Sequence, residues 1–467
     1  MRRALALLLA AALLAQFAGL TQAGGATPAP RATLTPDRPS DLTLQIGNSR
    51  PVTAIHLKSV AGLTGTGIGD VFPMDRYPLP CPSATKDWQL THVEDLRLTW
   101  VRLSVDLMEH GQVMDLGWYS RWAIDPCQDE LISRLANKGV TILMTIMYWD
   151  ETLNATRPPD YSNEEEVQLY LDYARFLVHH YKDRIHYWEI LNEAIHYVAL
   201  EDYLNLVRRA APVIRAEDPQ AKIVAGGSTT LLYQDCRDYI LGLLNSDVVA
   251  QLDGINIHPM YGVSPQYEDT AWYYAWYPDM IRQGKRIAAA HGFTGEWIAE
   301  EMDWRTPLNP NQYEPWTYTP TVAAKYYARG IVINLGLGVW AGIGGELYYA
   351  IAPIPTVVRN LSAALDGATP TAVGVQVDTT ATKVATYAFT LRNGGRLIAL
   401  WDDGVAADAA TAASATVTIA GASSGPIVGI DVLNGVQQHL VTEVVGQNLV
   451  VRNLLLTDYP LFLRLEK

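Results

Sequence analysis

The sequence predicts an α/β fold: a (β/α)8 TIM barrel followed by a small all-β sandwich. From about residue 42 to residue 360, short apolar runs alternate with longer amphipathic stretches, which is the pattern of repeated strand–helix units. After about residue 365, short β-prone runs are separated by Gly, Asp, Asn and Ser, which is typical of a sandwich. A chain of 467 residues is long enough for one large barrel and an appended domain.

These changes of pattern divide the chain into four parts. Residues 1–23 combine two arginines, an apolar run and a small-residue cleavage site, so they are predicted to be a signal peptide for a secreted or periplasmic protein. Residues 24–41 are rich in Gly, Pro, Ala and Thr and are predicted to be a flexible linker. The barrel is assigned to residues 42–364 and the sandwich to residues 365–467. No later stretch is apolar for long enough to predict a membrane span.

Eight barrel strands are predicted in order along the chain, each as a short apolar run bounded by turn-forming residues. An open doubly wound sheet is the alternative, but no Gly-rich turn follows an early strand in the pattern that would cradle a nucleotide phosphate. The barrel is therefore favoured. The predicted strands cover residues 52–58, 98–105, 141–147, 185–191, 222–225, 254–258, 297–300 and a run between residues 339 and 349.

The strongest helix pattern covers residues 164–181. Ser162 and Glu165 form a possible capping box at its start. Apolar residues recur along it at the spacing of one helical face, at Val167, Tyr170, Leu171, Ala174, Leu177 and Val178.

The composition excludes some classes of partner. The formal net charge of −14 disfavours nucleic acid, whose phosphates are bound by clustered Lys and Arg. The chain has 13 Trp and 25 Tyr but only 6 Phe, so its rings mostly carry a polar atom. Many of them follow the sixth and seventh strands, where they either stack on a ligand or pack as a lid: Tyr267, Trp272, Tyr273, Tyr274, Trp276, Tyr277, Trp304, Tyr313, Trp316 and Tyr318.

The cysteines leave two arrangements open. In an oxidising compartment Cys81 and Cys127 could form one bridge and leave Cys236 as an odd thiol. Three separate buried thiols are an equal alternative.

Carboxylates stand at the ends of two predicted strands. The fourth strand finishes in Asn192 and Glu193, and the seventh finishes in Glu300 and Glu301. Because reactive side chains of such barrels project from the C-terminal ends of the strands, these groups can face each other across the mouth. Hydrolysis of a glycosidic bond requires such a pair, one protonated acid and one ionised group.

This arrangement resembles the clan A glycoside hydrolases, which include families five and thirty-nine, over roughly residues 50–360. The resemblance implies a retaining double displacement on a β-linked glycan, with Glu193 as acid/base and Asn192 bonded to the sugar 2-hydroxyl. It implies a nucleophile at the end of the seventh strand. Glu301 fits the usual ending, in which a Trp such as Trp304 follows three residues later, and Glu300 is the alternative.

Further positions resemble substrate-site residues of the same clan. Arg102 is similar to the early-strand arginine that keeps the nucleophile charged, although a structural ion pair would explain it too. His258 and Tyr261 resemble the clan's pair after the sixth strand, with the tyrosine hydroxyl on the nucleophile. The aromatic residues Trp304, Trp149 and Trp340 are further candidates for binding the sugar.

The chemistry sets one physical expectation for the acid. A second carboxylate close to Glu193 is expected to raise its pKa, so that it can donate a proton near neutral pH. No His or Cys spacing matches a zinc site, and no metal or cofactor is predicted. The alternative function is a non-catalytic carbohydrate-binding protein on a hydrolase-like barrel.

Overall fold

A computed structural model describes residues 46–47, 52–54, 67–72, 83–105, 122, 124, 126–148, 157–307, 316–344, 351–422 and 425–465. The predicted signal peptide and linker lie outside the described residues, as do Cys81, Trp149 and Tyr313. In this part of the chain, no helix combines the length and the apolar character of a membrane span.

Eight parallel strands close into a barrel, and antiparallel sheets follow it in the chain, which confirms the predicted fold class. Around the barrel, the last strand (Val339–Ile343) pairs with both the first (Ile68–Phe72) and the seventh (Glu296–Ala299), and the remaining strands pair in chain order. Two short strands, β8 (Met260–Tyr261) and β10 (Met302–Asp303), pair with each other beyond the ends of the barrel strands. The barrel strands are β2 (Ile68–Phe72), β3 (Trp100–Val105), β4 (Thr141–Ile146), β5 (Tyr187–Ile190), β6 (Lys222–Val224), β7 (Gly254–Ile257), β9 (Glu296–Ala299) and β11 (Val339–Ile343).

The prediction of the first barrel strand at residues 52–58 is wrong. The strand found there, β1 (Val52–Ala54), pairs antiparallel with β18 (Val436–Leu440) in the C-terminal region. The true first strand, Ile68–Phe72, is interrupted by Gly69, which a search for apolar runs passes over. A Cβ at Gly69 would lie 2.2 Å from the Trp100 ring, so this strand needs a glycine for a reason that only the folded barrel reveals.

Helices cover the outside of the barrel. The helix predicted over residues 164–181 is confirmed, but its cap is Asn163, whose side chain accepts a hydrogen bond from the Glu165 backbone N at 3.0 Å. Ser162 bonds to Asp160 instead. The helices are α1 (Ser83–Leu96), α2 (Pro126–Asn137), α3 (Glu164–Tyr181), α4 (Leu200–Glu217), α5 (Gln234–Leu244), α6 (Glu268–Ala290), α7 (Pro320–Gly336) and α8 (Ile354–Ala364).

The C-terminal region consists of two antiparallel sheets packed over an apolar core. Besides β1 and β18, their strands are β12 (Thr369–Thr371), β13 (Val375–Thr379), β14 (Val384–Thr390), β15 (Arg396–Asp402), β16 (Ala412–Ala420), β17 (Ile427–Asp431), β19 (Glu443–Val445), β20 (Asn448–Thr457) and β21 (Leu461–Leu465). One sheet has the order β1-β18-β17-β21-β15-β14-β12 and the other β13-β16-β20-β19.

The cysteines differ in state. Cys127, at the start of α2, is disulfide-bonded. Cys236, on α5, is a free buried thiol, and burial raises its pKa to about 11.

The barrel interior is built in layers. Side chains alternate along each strand, so residues two apart point to the same side. An apolar layer consists of Trp100, Leu143, Val224, Ile298 and Trp340, with Tyr187 packed against it. Two residues further along these strands, towards the mouth, most of the inward positions carry polar groups.

Candidate active site

A polar layer separates the apolar barrel interior from the mouth. All of its side chains are buried, and each lies two residues beyond a residue of the apolar layer or, for Asn256, beyond Gly254: Arg102, Thr145, Glu189, Asn256 and Glu300. Glycines occupy the corresponding positions of two other strands, Gly226 just after β6 and Gly342 on β11. A Cβ at Gly226 would lie 1.9 Å from the Asn256 backbone oxygen, and one at Gly342 would lie 2.0 Å from that of Glu300. The crowded layer therefore requires glycine at both places.

Arg102 is the centre of this layer. Its Nε and Nη2 donate to Glu189 at 2.7 and 2.8 Å, and its Nη1 donates to Glu301 at 2.6 Å. Nη2 also donates to the Asn192 side-chain oxygen at 2.8 Å, and Nε lies 3.3 Å from Glu300. Burial alone would lower the pKa of Arg102, but the three carboxylates raise it well above its usual range. The guanidinium is therefore permanently charged.

The chain leaves β5 in an unusual conformation that projects Glu193 into the mouth. Leu191 has φ 59° and Glu193 has φ 43° and ψ 44°, both in the left-handed region that non-glycine residues rarely adopt. Backbone strain of this kind persists where the surroundings enforce it, and it is concentrated at functional sites. The Glu193 side chain is 13% exposed.

Two histidines bind the Glu193 carboxylate. His258 Nδ1 lies 2.9 Å from Glu193 Oε1, and His196 Nε2 lies 3.4 Å from Oε2. Burial alone would raise the pKa of Glu193, but the hydrogen bonds from His196 and His258 lower it far below its usual range. The expectation of a raised pKa is therefore wrong, because the imidazoles outweigh burial and the neighbouring carboxylates.

His258 connects the mouth to the polar layer. It is 1% exposed, and its Nε2 lies 3.3 Å from Glu300 Oε2 while its Nδ1 contacts Glu193. Burial would lower the pKa of His258, but Glu301, Glu193 and Glu300 raise it well above its usual range. These opposite shifts place the proton of the Glu193–His258 pair on His258.

The adjacent glutamates of the seventh strand have different surroundings. The Glu301 side chain is 19% exposed and accepts hydrogen bonds from Arg102 and from the Tyr261 hydroxyl. Glu300 is fully buried in the polar layer, where Asn256 Nδ2 donates to it at 2.8 Å. Of the two, Glu301 is the one that a ligand in the mouth can reach.

Glu193, His258 and Glu301 meet in one small volume. One carboxylate oxygen of each glutamate and one ring nitrogen of His258 lie within 4.8 Å of one another. Glu189, His258 and Glu300 form a second such group below it. Both groups have the spacing of cation ligands, but Arg102, Tyr261 and Asn256 already donate to their oxygens and would compete with a cation.

The structure brings Glu193, Glu301, Asn192, Arg102, His258 and Tyr261 together, but it does not bring Trp304 or Trp340 to them. Trp304 is 1% exposed, and its indole N–H is bonded to the Val263 backbone oxygen. Trp340 belongs to the apolar layer inside the barrel. Both predictions of substrate contact are wrong, because neither ring has a face open to the mouth.

Most rings after the sixth and seventh strands also serve packing. The buried face of α6 carries Tyr273, Tyr274 and Tyr277, and the buried rings of Trp316 and Tyr318 lie beside it. Trp272 and Trp276 are 42% and 65% exposed on the outer face of α6. A packed helix, rather than a row of sugar-stacking rings, explains this part of the sequence.

Sequence reasoning missed the residues that hydrogen-bond to the side chains lining the mouth and hold them in place. It did not single out Glu189, Thr145, Asn256 or His196. The first three had a signal: they are polar residues at inward positions of strands that are buried on both faces. His196 had none, because its approach to Glu193 depends on the 3₁₀ turn Ala194–His196 after the strand.

Comparisons with known proteins agree with this arrangement. Residues 127–219, which include Asn192 and Glu193, match the model of glycosyl hydrolase family 1. The fold is similar to a family 39 glycoside hydrolase from Bacteroides cellulosilyticus, with 16% identity, a TM-score of 0.59, and coverage of 88% of this chain and 82% of that one.

Two further solved structures share the fold. A family 51 arabinofuranosidase from Xanthomonas axonopodis has 12% identity and a TM-score of 0.55, with 87% of this chain and 97% of that chain covered. A glucosidase from Croceicoccus marinus has 13% identity and a TM-score of 0.52, with 90% and 99% covered. The resemblance to clan A glycoside hydrolases is confirmed. What this chain shares with the three solved structures is their fold.

Proposed function

We propose that the protein is an exported retaining glycoside hydrolase that cleaves β-linked glycans, with Glu193 as acid/base and Glu301 as nucleophile. One observation carries the proposal: the two partly exposed carboxylates approach each other within 4.8 Å beside His258. Retaining enzymes place their carboxyl groups about 5 to 5.5 Å apart, whereas inverting enzymes need about 6.5 to 9.5 Å to admit a water molecule.

The contacts of Glu301 support its role as nucleophile. Arg102 and the Tyr261 hydroxyl donate to its two oxygens, so its negative charge is stabilised. Attack by one oxygen on the anomeric carbon forms a glycosyl ester and neutralises the charge. Tyr261 and Arg102 then remain in place to stabilise the carboxylate when the ester is hydrolysed.

The contacts of Glu193 support its role as acid/base. The proton that the leaving oxygen requires is held on His258, and it passes from His258 Nδ1 to the Glu193 carboxylate, the exposed member of the pair, which donates it to the leaving oxygen. When that proton leaves with the aglycone, the Glu193 carboxylate can accept a proton from the incoming water. Asn192 accepts from Arg102 through its oxygen, which leaves its amide N–H groups to donate to the sugar 2-hydroxyl.

The substrate and the location are part of the proposal. The expected signal peptide at residues 1–23 supports export. The resemblance to clan A enzymes supports a β-linked oligo- or polysaccharide, and the net charge of −14 favours a neutral glycan over a polyanionic one.

A panel of aryl β-glycosides tests the reaction. We expect turnover of at least one of them, with the first product retaining the β configuration by NMR. We expect Glu193→Ala to lose most turnover and to regain it when azide is added, because azide can attack the glycosyl ester without a general base. If glycans bind but no member of the panel is cleaved, the protein is a carbohydrate-binding protein instead.

Two matched variants assign the nucleophile. Glu301→Gln and Glu300→Gln make the same change at adjacent positions. We expect only Glu301→Gln to prevent trapping of a covalent 2-deoxy-2-fluoroglycosyl enzyme, detected by mass spectrometry. Trapping that persists in Glu301→Gln and disappears in Glu300→Gln would reverse the assignment.

A further inference from the structure

Two buried carboxyl groups lie beneath the proposed catalytic pair and take no direct part in its chemistry. Glu189 on β5 and Glu300 after β9 are both fully buried. Asn256 joins them, because its Nδ2 donates to Glu189 Oε1 and to Glu300 Oε2, at 2.8 Å in each case. Burial of an ionisable carboxyl group destabilises a fold unless polar partners compensate for the lost hydration.

Glu189 fixes the orientation of Arg102. The guanidinium is planar, so two hydrogen bonds from Nε and Nη2 to one carboxylate determine the direction of the third nitrogen. That nitrogen, Nη1, donates to Glu301. The Thr145 hydroxyl donates to Glu189 and so holds the Glu189 carboxylate in position.

Charged and polar groups on several neighbouring elements influence the charge of Glu189. Arg102 faces it from β3, Asn256 from β7 and Glu300 from beyond β9, and His258 contacts Glu300. The ionisable hydroxyls of Tyr170, Tyr197 and Tyr203 also interact with it electrostatically. Burial raises the pKa of Glu189 to about 7 against the effect of Arg102, and Glu300 adds to the rise. Glu189 therefore gains its negative charge as the pH rises through neutrality.

We propose that Glu189 is a positioning residue of this site: it fixes the plane of Arg102, and the charge it carries sets how firmly Glu193 and His258 hold their shared proton. The inference rests on the proposed function. In the water-poor barrel interior, a new negative charge raises the proton affinity of its neighbours. Once Glu189 has lost its own proton, the Glu193–His258 pair therefore keeps the proton that the acid step needs up to a higher pH.

The variant Glu189→Gln separates these effects from packing, because it keeps the size and removes the charge. Its amide nitrogen cannot accept from Arg102, so we expect kcat to fall about 10- to 100-fold as Nη1 loses its fixed direction. The alkaline limb of the pH profile of kcat/KM, where the rate falls as the acid loses its proton, should move to lower pH by about one unit. Glu189→Asp keeps the charge but is too short for both contacts, so it should lose kcat and keep the alkaline limb.

A matched control makes the same change at another buried glutamate that an arginine binds. Glu166 on α3 is buried and accepts from Arg157 at 2.5 and 3.0 Å, but it makes no contact with Arg102 or Glu193 in the described residues. Glu166→Gln should leave kcat per folded molecule and the alkaline limb unchanged. The fraction of active protein is measured by titration with the 2-deoxy-2-fluoroglycoside that forms the covalent enzyme. Loss of folded protein is then not mistaken for a lower rate.

An NMR titration gives a readout that needs no turnover. The His258 ring, assigned with the variant His258→Gln, should titrate at lower pH in Glu189→Gln than in the unmodified protein. Unchanged values for the ring and for the alkaline limb would overturn the inference. If the protein cleaves no glycoside, the proposed function fails, and the NMR titration still decides whether Glu189 controls the Glu193–His258 proton.

Discussion

The barrel mouth and the surface between α7 and the sandwich each contain a buried arginine, and the surroundings of the two arginines differ. Arg102 is bound by Glu189, Glu300 and Glu301. Arg329 donates to backbone oxygens of Asp402, Gly404 and Asp458 at 2.6 to 3.2 Å, and Asp403 is its only carboxylate partner within 4 Å in the described residues, at 3.7 Å.

The difference shows two uses of buried charge. At the interface, one cation is shared among neutral dipoles, and this arrangement stabilises a single way of docking α7 on the sandwich. At the mouth, four carboxyl groups, Glu189, Glu193, Glu300 and Glu301, surround the cations Arg102 and His258. Four carboxyl groups beside two cations cannot all be ionised in a buried site, so this region must bind and release protons.

The largest effect on activity should separate the two arginines when the same substitution is made at both. Arg102→Lys keeps the charge but cannot reach Glu189, Glu301 and Asn192 together, so we expect kcat/KM to fall about 10²- to 10³-fold. Arg329→Lys should lower the free energy of unfolding by about 2 to 3 kcal/mol and leave kcat/KM per folded molecule unchanged. Kinetics and urea denaturation of both variants test the comparison, and a loss of kcat/KM in Arg329→Lys would contradict it.

The second effect concerns the ion pair beside Arg329. Lys325 is 1% exposed, and its Nζ lies 2.8 Å from Asp458 Oδ1. Lys325→Met leaves a buried carboxylate without its cation, so we expect the free energy of unfolding to fall by about 3 to 5 kcal/mol. Lys325→Met combined with Asp458→Asn should recover most of this loss. No recovery in urea denaturation would show that the charge of Asp458 is not the cause.

The third effect is the pH dependence of stability. Glu189 has a folded pKa of about 7, above its unfolded value, so the folded state binds more protons between these pH values. Its contribution to stability is present below about pH 4.5 and is lost as the pH rises through about 7, an effect of roughly 3 kcal/mol. Glu189→Gln should lack this decline. Urea denaturation of both proteins at pH 5 and pH 8 tests it, and parallel changes would show that other groups cause the decline.

The smallest effect should come from the rim of the interface. Asp403 is 25% exposed and accepts from the Tyr274 hydroxyl and the Trp401 indole, each at 2.7 Å. Asp403→Asn keeps an accepting oxygen and removes only a charge 3.7 Å from Arg329, so we expect a change in unfolding free energy of at most about 1 kcal/mol. A larger loss by thermal or urea denaturation would mean that Arg329 depends on this carboxylate.

The site was predictable where it follows directly from strand ends. Glu193, Glu301, His258 and Tyr261 end or follow apolar runs, and parallel strands bring such ends to one mouth. Trp304 and Trp340 show the limit of this reasoning, because a ring near a strand end can turn into the core or into the barrel. The local sequence does not encode that direction, since it depends on the free volume left by other elements.

The sequence by itself determined the barrel and sandwich classes, the extent of Glu164–Tyr181 and the strand-end carboxylates, because periodicity and chain order are local properties. Only the tertiary structure decided that Ile68–Phe72 rather than residues 52–58 closes the barrel, and that Glu301 rather than Glu300 faces the mouth. It also decided that His196 and His258 lower the pKa of Glu193. Pairing partners, burial and charge are contributed by residues distant in the chain, and they exist only once the strands have assembled.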